Sequence, residues 1–278
     1  MVPTSARLCV SLLACVAFTG GACRSESTPE VAAPAATGVA DEFSSPVRAT
    51  GGPGAGIPGD SQPGALASET DAVALPPPLT HYEGREIAQT MHWKGAEWLL
   101  RETRESEEHT ARLLAALAVK PGQVVCDLGC GNGFHTLLLA ELVGPGGKVF
   151  AVDIQQQMLD MLRVRAAEAQ LDNIERILGT LADPKLPPDS CDLVLLADVY
   201  HEISYPEQVL AGIRSALRPD GRVVLVEFRA EDPDVPIKRL HKMSKAQIRK
   251  ELEGNGFRLV EEFDELPWQH VMAFGRAE

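Results

Sequence analysis

The sequence predicts an α/β fold built on a doubly wound, mostly parallel sheet, and three observations support this. Apolar segments of strand length alternate with segments of helical period along residues 120–278. One of the apolar strands leads directly into a glycine-rich turn and an apolar helix, which predicts a nucleotide-type site. The last two strands are joined by only a short Pro-containing link, which indicates an antiparallel pair at the end.

The region before the first strand has a helical period over residues 95–119, which predicts one long helix. Its charged middle, residues 101–108, is expected to form a solvated face with i,i+4 pairs. Pro121 and Gly122 then end the helix and lead into the first strand.

The first strand ends in Asp127, and three glycines follow at alternate positions, Gly129, Gly131 and Gly133. Because glycine lacks a Cβ, the chain can turn sharply there and a ligand can approach the backbone closely. Phe134 begins the apolar helix that follows. The strand, the turn and the helix N-terminus together predict the ligand site of the fold.

The remaining elements alternate along the chain. Apolar segments predict further strands at residues 148–153, 174–178, 192–199, 222–228, 258–264 and 270–275. Helices are predicted at residues 155–169 and 206–217, and a third after Ser244, which is expected to cap a helix running to residue 253.

The N-terminus has the pattern of an export signal. Arg7 supplies a positive charge, residues 8–18 are apolar, and small residues precede Cys23. Residues 1–22 therefore predict a signal peptide, and Cys23 resembles the lipidated cysteine of a bacterial lipoprotein, although Cys15 and an incidental apolar segment stay open as alternatives. The expectation is an exported protein, anchored by lipid on the periplasmic side; without a working signal it would be cytoplasmic.

Composition divides the rest of the chain. Residues 23–80 are rich in Pro, Ala and Gly and predict a disordered tether. Residues 81–119 are expected to form an N-terminal helical lid that is rich in aromatic side chains, with simple packing or a surface loop as the alternative, and residues 120–278 the ligand-binding domain.

Charge and cysteine spacing exclude some functions. The formal net charge is -13 and no basic tract is present, so nucleic acid is not the expected partner. The cysteines outside the N-terminal region are Cys126, Cys130 and Cys191, and no C-x-x-C pair occurs among the six in the chain. These three are expected to be structural thiols, and no metal site is predicted.

The spacing of the glycines identifies the type of nucleotide. The dinucleotide fingerprint G-x-G-x-x-G would need a glycine where Phe134 stands. The order D-x-G-x-G-x-G instead resembles motif I of the class I S-adenosylmethionine-dependent methyltransferases. The resemblance covers roughly residues 120–276 and is nearest to the ubiquinone/menaquinone-biosynthesis-type group. It implies a Rossmann-like methyltransferase fold with seven strands, the last one inserted antiparallel.

The resemblance also implies which residues bind the cofactor, S-adenosyl-L-methionine. The turn, including Cys130, would approach it closely, and Asp127 would contact its methionine amino group, often through water. Asp127 can equally bond the backbone of the following loop. Asp153, which ends the second strand, can accept the hydroxyl protons of the ribose. Ile154 and Met158 would flank the adenine.

A further contact to the adenine is expected after the third strand. Asp183 is the candidate for the adenine amino group, although it can instead cap a turn before Pro184. The Gly179-Thr180 pair departs from the Gly-Asp pair common in the family.

The methyl acceptor is expected at the end of the fourth strand, where Asp198, His201 and Glu202 follow one another closely. His201 is the candidate base or acceptor-orienting group, with Asp198 or Glu202 fixing its tautomer. A histidine that merely caps the loop is the alternative.

These expectations predict a methyltransferase of class EC 2.1.1 that acts on a small-molecule or lipid-like acceptor. A tethered module that binds the cofactor without turnover is an alternative, and a nicotinamide-dependent oxidoreductase is less favoured because of Phe134. The arsenite methyltransferase subgroup is not favoured, because its chemistry uses exposed cysteines.

Overall fold

The computed structural model describes residues 75–278. The predicted signal peptide, the lipidation site at Cys23 and most of the predicted tether lie outside the described residues. Within the part that is described, no helix combines the length and the apolar character that crossing a membrane requires.

Ten strands form two sheets in the described residues. A short hairpin, β1 (His81–Tyr82) and β2 (Arg85–Glu86), precedes the central sheet. The central sheet contains the other strands: β3 (Val124–Leu128), β4 (Lys148–Asp153), β5 (Ile174–Leu178), β6 (Cys191–Ala197), β7 (Leu217–Arg229), β8 (Lys242–Met243), β9 (Phe257–Phe263) and β10 (Gln269–Arg276).

The order of the central sheet is β5-β4-β3-β6-β7-β10-β9, and the short β8 pairs with β7. The strands from β3 to β7 pair in parallel, whereas β10 lies antiparallel between β7 and β9. This confirms the predicted doubly wound fold with an inserted antiparallel last strand. The path contains the predicted seven strands. The two-residue β8 was not foreseen, and neither was the β1–β2 hairpin, which lies in the segment expected to be helical.

Six α-helices accompany the strands in the described residues: α1 (Arg104–Glu108), α2 (Thr110–Leu117), α3 (Phe134–Val143), α4 (Gln156–Glu168), α5 (Pro206–Ala216) and α6 (Lys245–Gly254). Three segments are 3₁₀-helical: Trp93–Leu100, Tyr200–Glu202 and Arg239–His241. Ser244 caps α6 as predicted, because its hydroxyl accepts the N–H of Gln247.

The apolar core lies on both faces of the sheet. Leu210 and Ile248 bring α5 and α6 onto one face, and Leu113 and Leu139 bring α2 and α3 onto the other. The central strands are consequently buried on both sides, as their near-continuous apolar sequences predict. In such a sheet, ligands bind outside the carboxyl ends of the strands.

The prediction of one long helix over residues 95–119 is wrong, because two non-helical residues interrupt it. Arg101 is extended (φ -59°, ψ 141°) and His109 is left-handed (φ 52°). The charged middle is solvated only in part: Glu102 and Glu105 are exposed, whereas Arg104 and Glu108, which form an i,i+4 pair as expected, are only 5% and 2% exposed. Glu108 accepts from Arg104 at 2.7 Å and from Arg101 at 2.6 Å, so these charges form a buried network.

Candidate active site

The glycine turn after β3 has the geometry that its sequence predicts. All three glycines have positive φ: 75° at Gly129, 53° at Gly131 and 86° at Gly133. A Cβ at Gly129 would lie 2.5 Å from Val199, and one at Gly133 would lie 2.3 Å from Leu162. Any side chain would therefore strain the backbone and collide with the neighbouring elements, so the tight turn depends on glycine.

Asp153 at the end of β4 holds the turn in place. Its carboxylate accepts the backbone N–H of Gly131 at 2.9 Å and that of Gln155 at 2.8 Å. The side chain is buried, and burial raises its pKa although the backbone hydrogen bonds oppose this. A carboxylate has about four acceptor positions. Capacity thus remains for a ligand hydroxyl beside the turn.

Asp127 is a second buried carboxylate beneath the same turn. The Thr136 hydroxyl on α3 donates to it at 2.6 Å, which ties the carboxylate to the helix after the turn. A bond from Asp127 to the backbone of the loop stays a prediction. Burial raises its pKa to about 6, while the Thr136 hydrogen bond and the nearby Arg104 guanidinium oppose that rise. A positively charged ligand group close to Asp127 would stabilise the ionised carboxylate.

The 3₁₀ segment Trp93–Leu100 lies against the turn. Gln155 accepts the N–H of Trp93 at 2.8 Å and donates to the Met91 carbonyl at 2.9 Å. Asn132, inside the turn, donates to the Ala96 carbonyl at 3.0 Å. Gln155 and Asn132 therefore link residues 91–100, which we call the N-terminal segment, to the site. Sequence reasoning missed both, because amides give no signal of a partner more than 30 residues away.

The other predicted cofactor residues differ in exposure. Ile154 is 36% exposed next to Asp153, whereas Met158 is 2% exposed and buried within the fold. Cys130 is buried, and burial raises its pKa well above the ordinary value, which disfavours the nucleophilic thiolate form. The free cysteines Cys126 and Cys191 are buried as well, which agrees with their expected structural role.

Asp183 occupies the turn position that the sequence left as an alternative. Its carboxylate accepts the N–H of Lys185 at 2.7 Å. The segment begins beside the site, because the Gly179 N–H donates to the Asp153 carbonyl at 3.0 Å. The contact from Asp183 to the adenine stays a prediction.

His201 lies beyond β6 and is almost fully buried. Its Nδ1 is 2.6 Å from a carboxylate oxygen of Glu227, and its Nε2 is 3.1 Å from Nδ1 of His241. Burial disfavours the charged imidazole, but the carboxylates of Glu227, Glu202 and Asp198 together raise the pKa of His201. The environment therefore makes His201 a stronger base than an exposed histidine.

The expected partners of His201 are corrected by these contacts. Asp198 accepts instead from the Gln269 amide at 2.7 and 2.9 Å, and Glu202 accepts the Met91 N–H at 3.2 Å. Neither fixes the histidine tautomer, because Glu227 on β7 does so. The available signal was a single acid inside the otherwise apolar V-V-L-V-E-F of β7.

Together, the fold and the turn define a Rossmann-like nucleotide-binding protein whose site lies at the carboxyl edge of β3 and β4. The model of a family described as a methyltransferase domain matches residues 119–271. The chain therefore belongs to this methyltransferase family. At the level of the family, this confirms the expected cofactor, S-adenosylmethionine.

Curated relatives match the same part of the chain. It is 38% identical over 116 residues to the nocamycin O-methyltransferase of Saccharothrix syringae. The matched region covers 41% of this chain and 41% of that enzyme. It is 33% identical to the arsenite methyltransferase of Halobacterium salinarum, over 40% of the chain and 28% of that protein. It is 29% identical to a demethylmenaquinone methyltransferase of Listeria monocytogenes, over 43% of the chain and 50% of that protein. The matches thus span half or less of each relative's length.

A solved structure supports the fold. The structure of a SAM-dependent methyltransferase from Aquifex aeolicus superposes with a TM-score of 0.63 and 22% identity. The match covers 66% of this chain and 98% of that one. At this identity, the comparison shows the shared fold alone.

The buried Asp127 predicts a defined pH dependence of stability. Its folded pKa of about 6 exceeds the ordinary value of 3.8, so the folded state keeps its proton where the unfolded state has lost it. Stability contributed by this group therefore falls as the pH rises through that window and is lost above it. We expect Asp127→Asn to gain about 3 kcal/mol relative to wild type between about pH 4 and pH 7.5.

Urea unfolding of both proteins at each pH measures this difference. The exposed Asp160→Asn is the matched control, because its carboxylate bonds only the Gln156 amide one helical turn away. A difference between Asp127→Asn and wild type that does not change with pH would contradict the assignment.

Proposed function

We propose that this protein transfers a methyl group from S-adenosylmethionine to a small-molecule or lipid-like acceptor. One observation carries the proposal: in a methyltransferase-family domain, a turn of three positive-φ glycines is bonded to a buried carboxylate at the end of β4. The nocamycin and demethylmenaquinone enzymes support an acceptor that is itself a small molecule.

The residues present fit the cofactor. The left-handed glycines let the turn pack closely against Val199 and Leu99, and Asp153 beside it has acceptor capacity for ribose hydroxyls. The exposed Ile154 offers an apolar surface on the adenine side. Asp127 supplies negative charge for the ammonium and sulfonium groups. When bound, the cofactor supplies an electrophilic methyl group.

The acceptor would lie at the ends of β6 and β7. His201, polarised by Glu227, orients the polar group of the acceptor and takes its proton where it has one to lose. Asn132 and Gln155 hold residues 91–96 against the glycine turn, and exclusion of water by this segment would favour a displacement in which charge disappears.

Two alternatives predict different ligands or products. A nicotinamide-dependent oxidoreductase would bind NAD, and the family match gives it no support. A tethered module would bind S-adenosylmethionine tightly and form no methylated product.

Cofactor binding should depend on Gly131. A Cβ there would approach Leu99 to 2.7 Å, and φ is 53°, so we expect Gly131→Val to weaken S-adenosylmethionine binding at least about 100-fold. Titration calorimetry with S-adenosylmethionine, S-adenosylhomocysteine and NAD measures this. Gly146→Val is the control, because a Cβ at Gly146 meets nothing within 4 Å.

Circular dichroism must show that the Gly131→Val protein is folded. The proposal fails if this folded variant retains the wild-type affinity, or if wild type binds NAD and neither adenosyl ligand.

Turnover should depend on His201 separately from binding. His201→Gln keeps a polar side chain of similar size, so we expect cofactor affinity near that of wild type and turnover lower by about 10²–10⁴-fold. Transfer of a radiolabelled methyl group to phenols, quinols and lipid extracts measures it, with the exposed His109→Gln as control. Full turnover by His201→Gln would show that His201 has no role in methyl transfer. If wild type binds S-adenosylmethionine tightly and forms no product, the binding module is favoured.

We also propose attachment to a membrane through a lipidated Cys23, which rests on the small residues before it in the sequence. Palmitate labelling of the full chain in a bacterial host should label wild type and not Cys23→Ala. The variant should also leave the membrane fraction. Equal membrane association of the two proteins would refute the anchor.

A further inference from the structure

Three side chains converge beyond the carboxyl ends of β6 and β7. Nε2 of His201 lies 3.1 Å from Nδ1 of His241, and an Oε1 atom of Glu202 lies 3.9 Å from each of these nitrogens. His201 and Glu202 belong to one 3₁₀ turn, whereas His241 comes from another about 40 residues later. We call these three residues the two-histidine cluster.

The spacing of the two-histidine cluster suits a metal ion. Zinc binds imidazole nitrogen and carboxylate oxygen at about 2.0–2.2 Å, so two ligand atoms in a tetrahedral site lie about 3.3–3.5 Å apart. The observed separations of 3.1 and 3.9 Å lie on either side of this value. Shifts of a few tenths of an ångström would therefore complete the geometry.

The surroundings of His201 match those of a metal ligand. Metal-bound histidines nearly always donate their second ring N–H to a carboxylate or carbonyl. Here Glu227, itself fully buried, accepts at Nδ1 at 2.6 Å and leaves Nε2 to face the cluster. The His201 carbonyl is fixed as well, because Arg85 and the Ala88 N–H each donate to it at 3.0 Å.

The cluster is closed on one side and open on the other. The side chains of His201 and Glu202 are 3% and 14% exposed, whereas that of His241 is 32% exposed. Three protein ligands with an accessible side are typical of metal sites that keep a position for water or substrate. A donor set of two imidazoles and one carboxylate favours transition-metal ions over magnesium or calcium.

We propose that His201, Glu202 and His241 bind one divalent transition-metal ion of the zinc class, with Glu227 positioning His201. Such a site is independent of cysteine spacing, which is why the sequence did not predict it. The site does not require the proposed function. Only its use does: under that function, the open position would hold an ionisable oxygen or sulfur of the methyl acceptor. With a metal bound, His201 would act on the acceptor through the metal and would not itself take the proton, because Glu227 and the metal occupy both of its ring nitrogens.

Metal titration of the full chain tests the site. After removal of metal with a chelator, we expect one equivalent of Zn²⁺ to bind in competition with a chromogenic chelator, and Mg²⁺ not to compete. We expect His241→Ala to weaken Zn²⁺ binding at least about 100-fold, and Glu227→Gln to weaken it about 10–100-fold through the orientation of His201. Co²⁺ should give the intense visible bands of a tetrahedral site, and His241→Ala should lose them.

His109→Ala is the matched control. Its imidazole lies 3.5 Å from a carboxylate oxygen of Glu105, but on the exposed surface and without a second histidine. This variant should bind Zn²⁺ like wild type. The inference is overturned if wild type binds no Zn²⁺, or if His241→Ala binds it with unchanged affinity and stoichiometry. In that case the 3.1 Å contact is only a hydrogen bond between the two histidines.

The metal site and the proposed function can fail separately. Titration calorimetry with S-adenosylmethionine should give the same affinity for wild type and for His241→Ala, which also shows that the variant is folded. Zn²⁺ binding without methyl transfer to any acceptor would leave the metal site standing and remove the function. Methyl transfer by a protein that binds no Zn²⁺ would support the proposed function and remove the metal site.

Discussion

The site depends on one hydrogen bond, from the Gly131 N–H to the carboxylate of Asp153. The turn after β3 is built from left-handed glycines, which alone would leave the backbone free to adopt other conformations. Asp153 removes that freedom because β4 pairs with β3 as far as Val152, and Asp153 itself pairs with Leu178 of β5, so the position of the carboxylate is fixed by the sheet. The same carboxylate accepts the Gln155 N–H, and the Gln155 amide holds the N-terminal segment.

Negative charge accumulates at this edge of the sheet. Asp127, Asp153 and Glu227 are buried there and Asp198 is half-buried, and desolvation raises the pKa values of the three aspartates. Buried like charges are costly unless cations or hydrogen-bond donors compensate them. The fold supplies amides, hydroxyls and the His201 imidazole, and an edge of this kind favours ligands that carry positive charge.

The fold could be predicted from the sequence because it follows from local patterns. The bounds of β4 and β5 and the start of α3 depend on apolar periodicity and on glycine, which are read within a few residues. The partner of His201 could not be predicted, because Glu227 is 26 residues away and only pairing of β6 with β7 brings them together. The breaks at Arg101 and His109 were missed since ion pairs, not propensity, decide that segment.

Those ion pairs join the N-terminal segment to the glycine turn. Arg104 lies 3.8 Å above the ring of Phe134, donates to the Leu99 carbonyl and pairs with Glu108. Its charge also lowers the pKa of Asp127, although burial remains the larger effect. Because one guanidinium serves all these groups, losing Arg104 would remove them together and leave Arg101 as the remaining ion-pair partner of the buried Glu108, and breaking a buried ion pair in this way is costly. The segment, the turn and the carboxylate beneath it therefore behave as one electrostatic unit, and this explains why a strongly charged stretch lies in the interior.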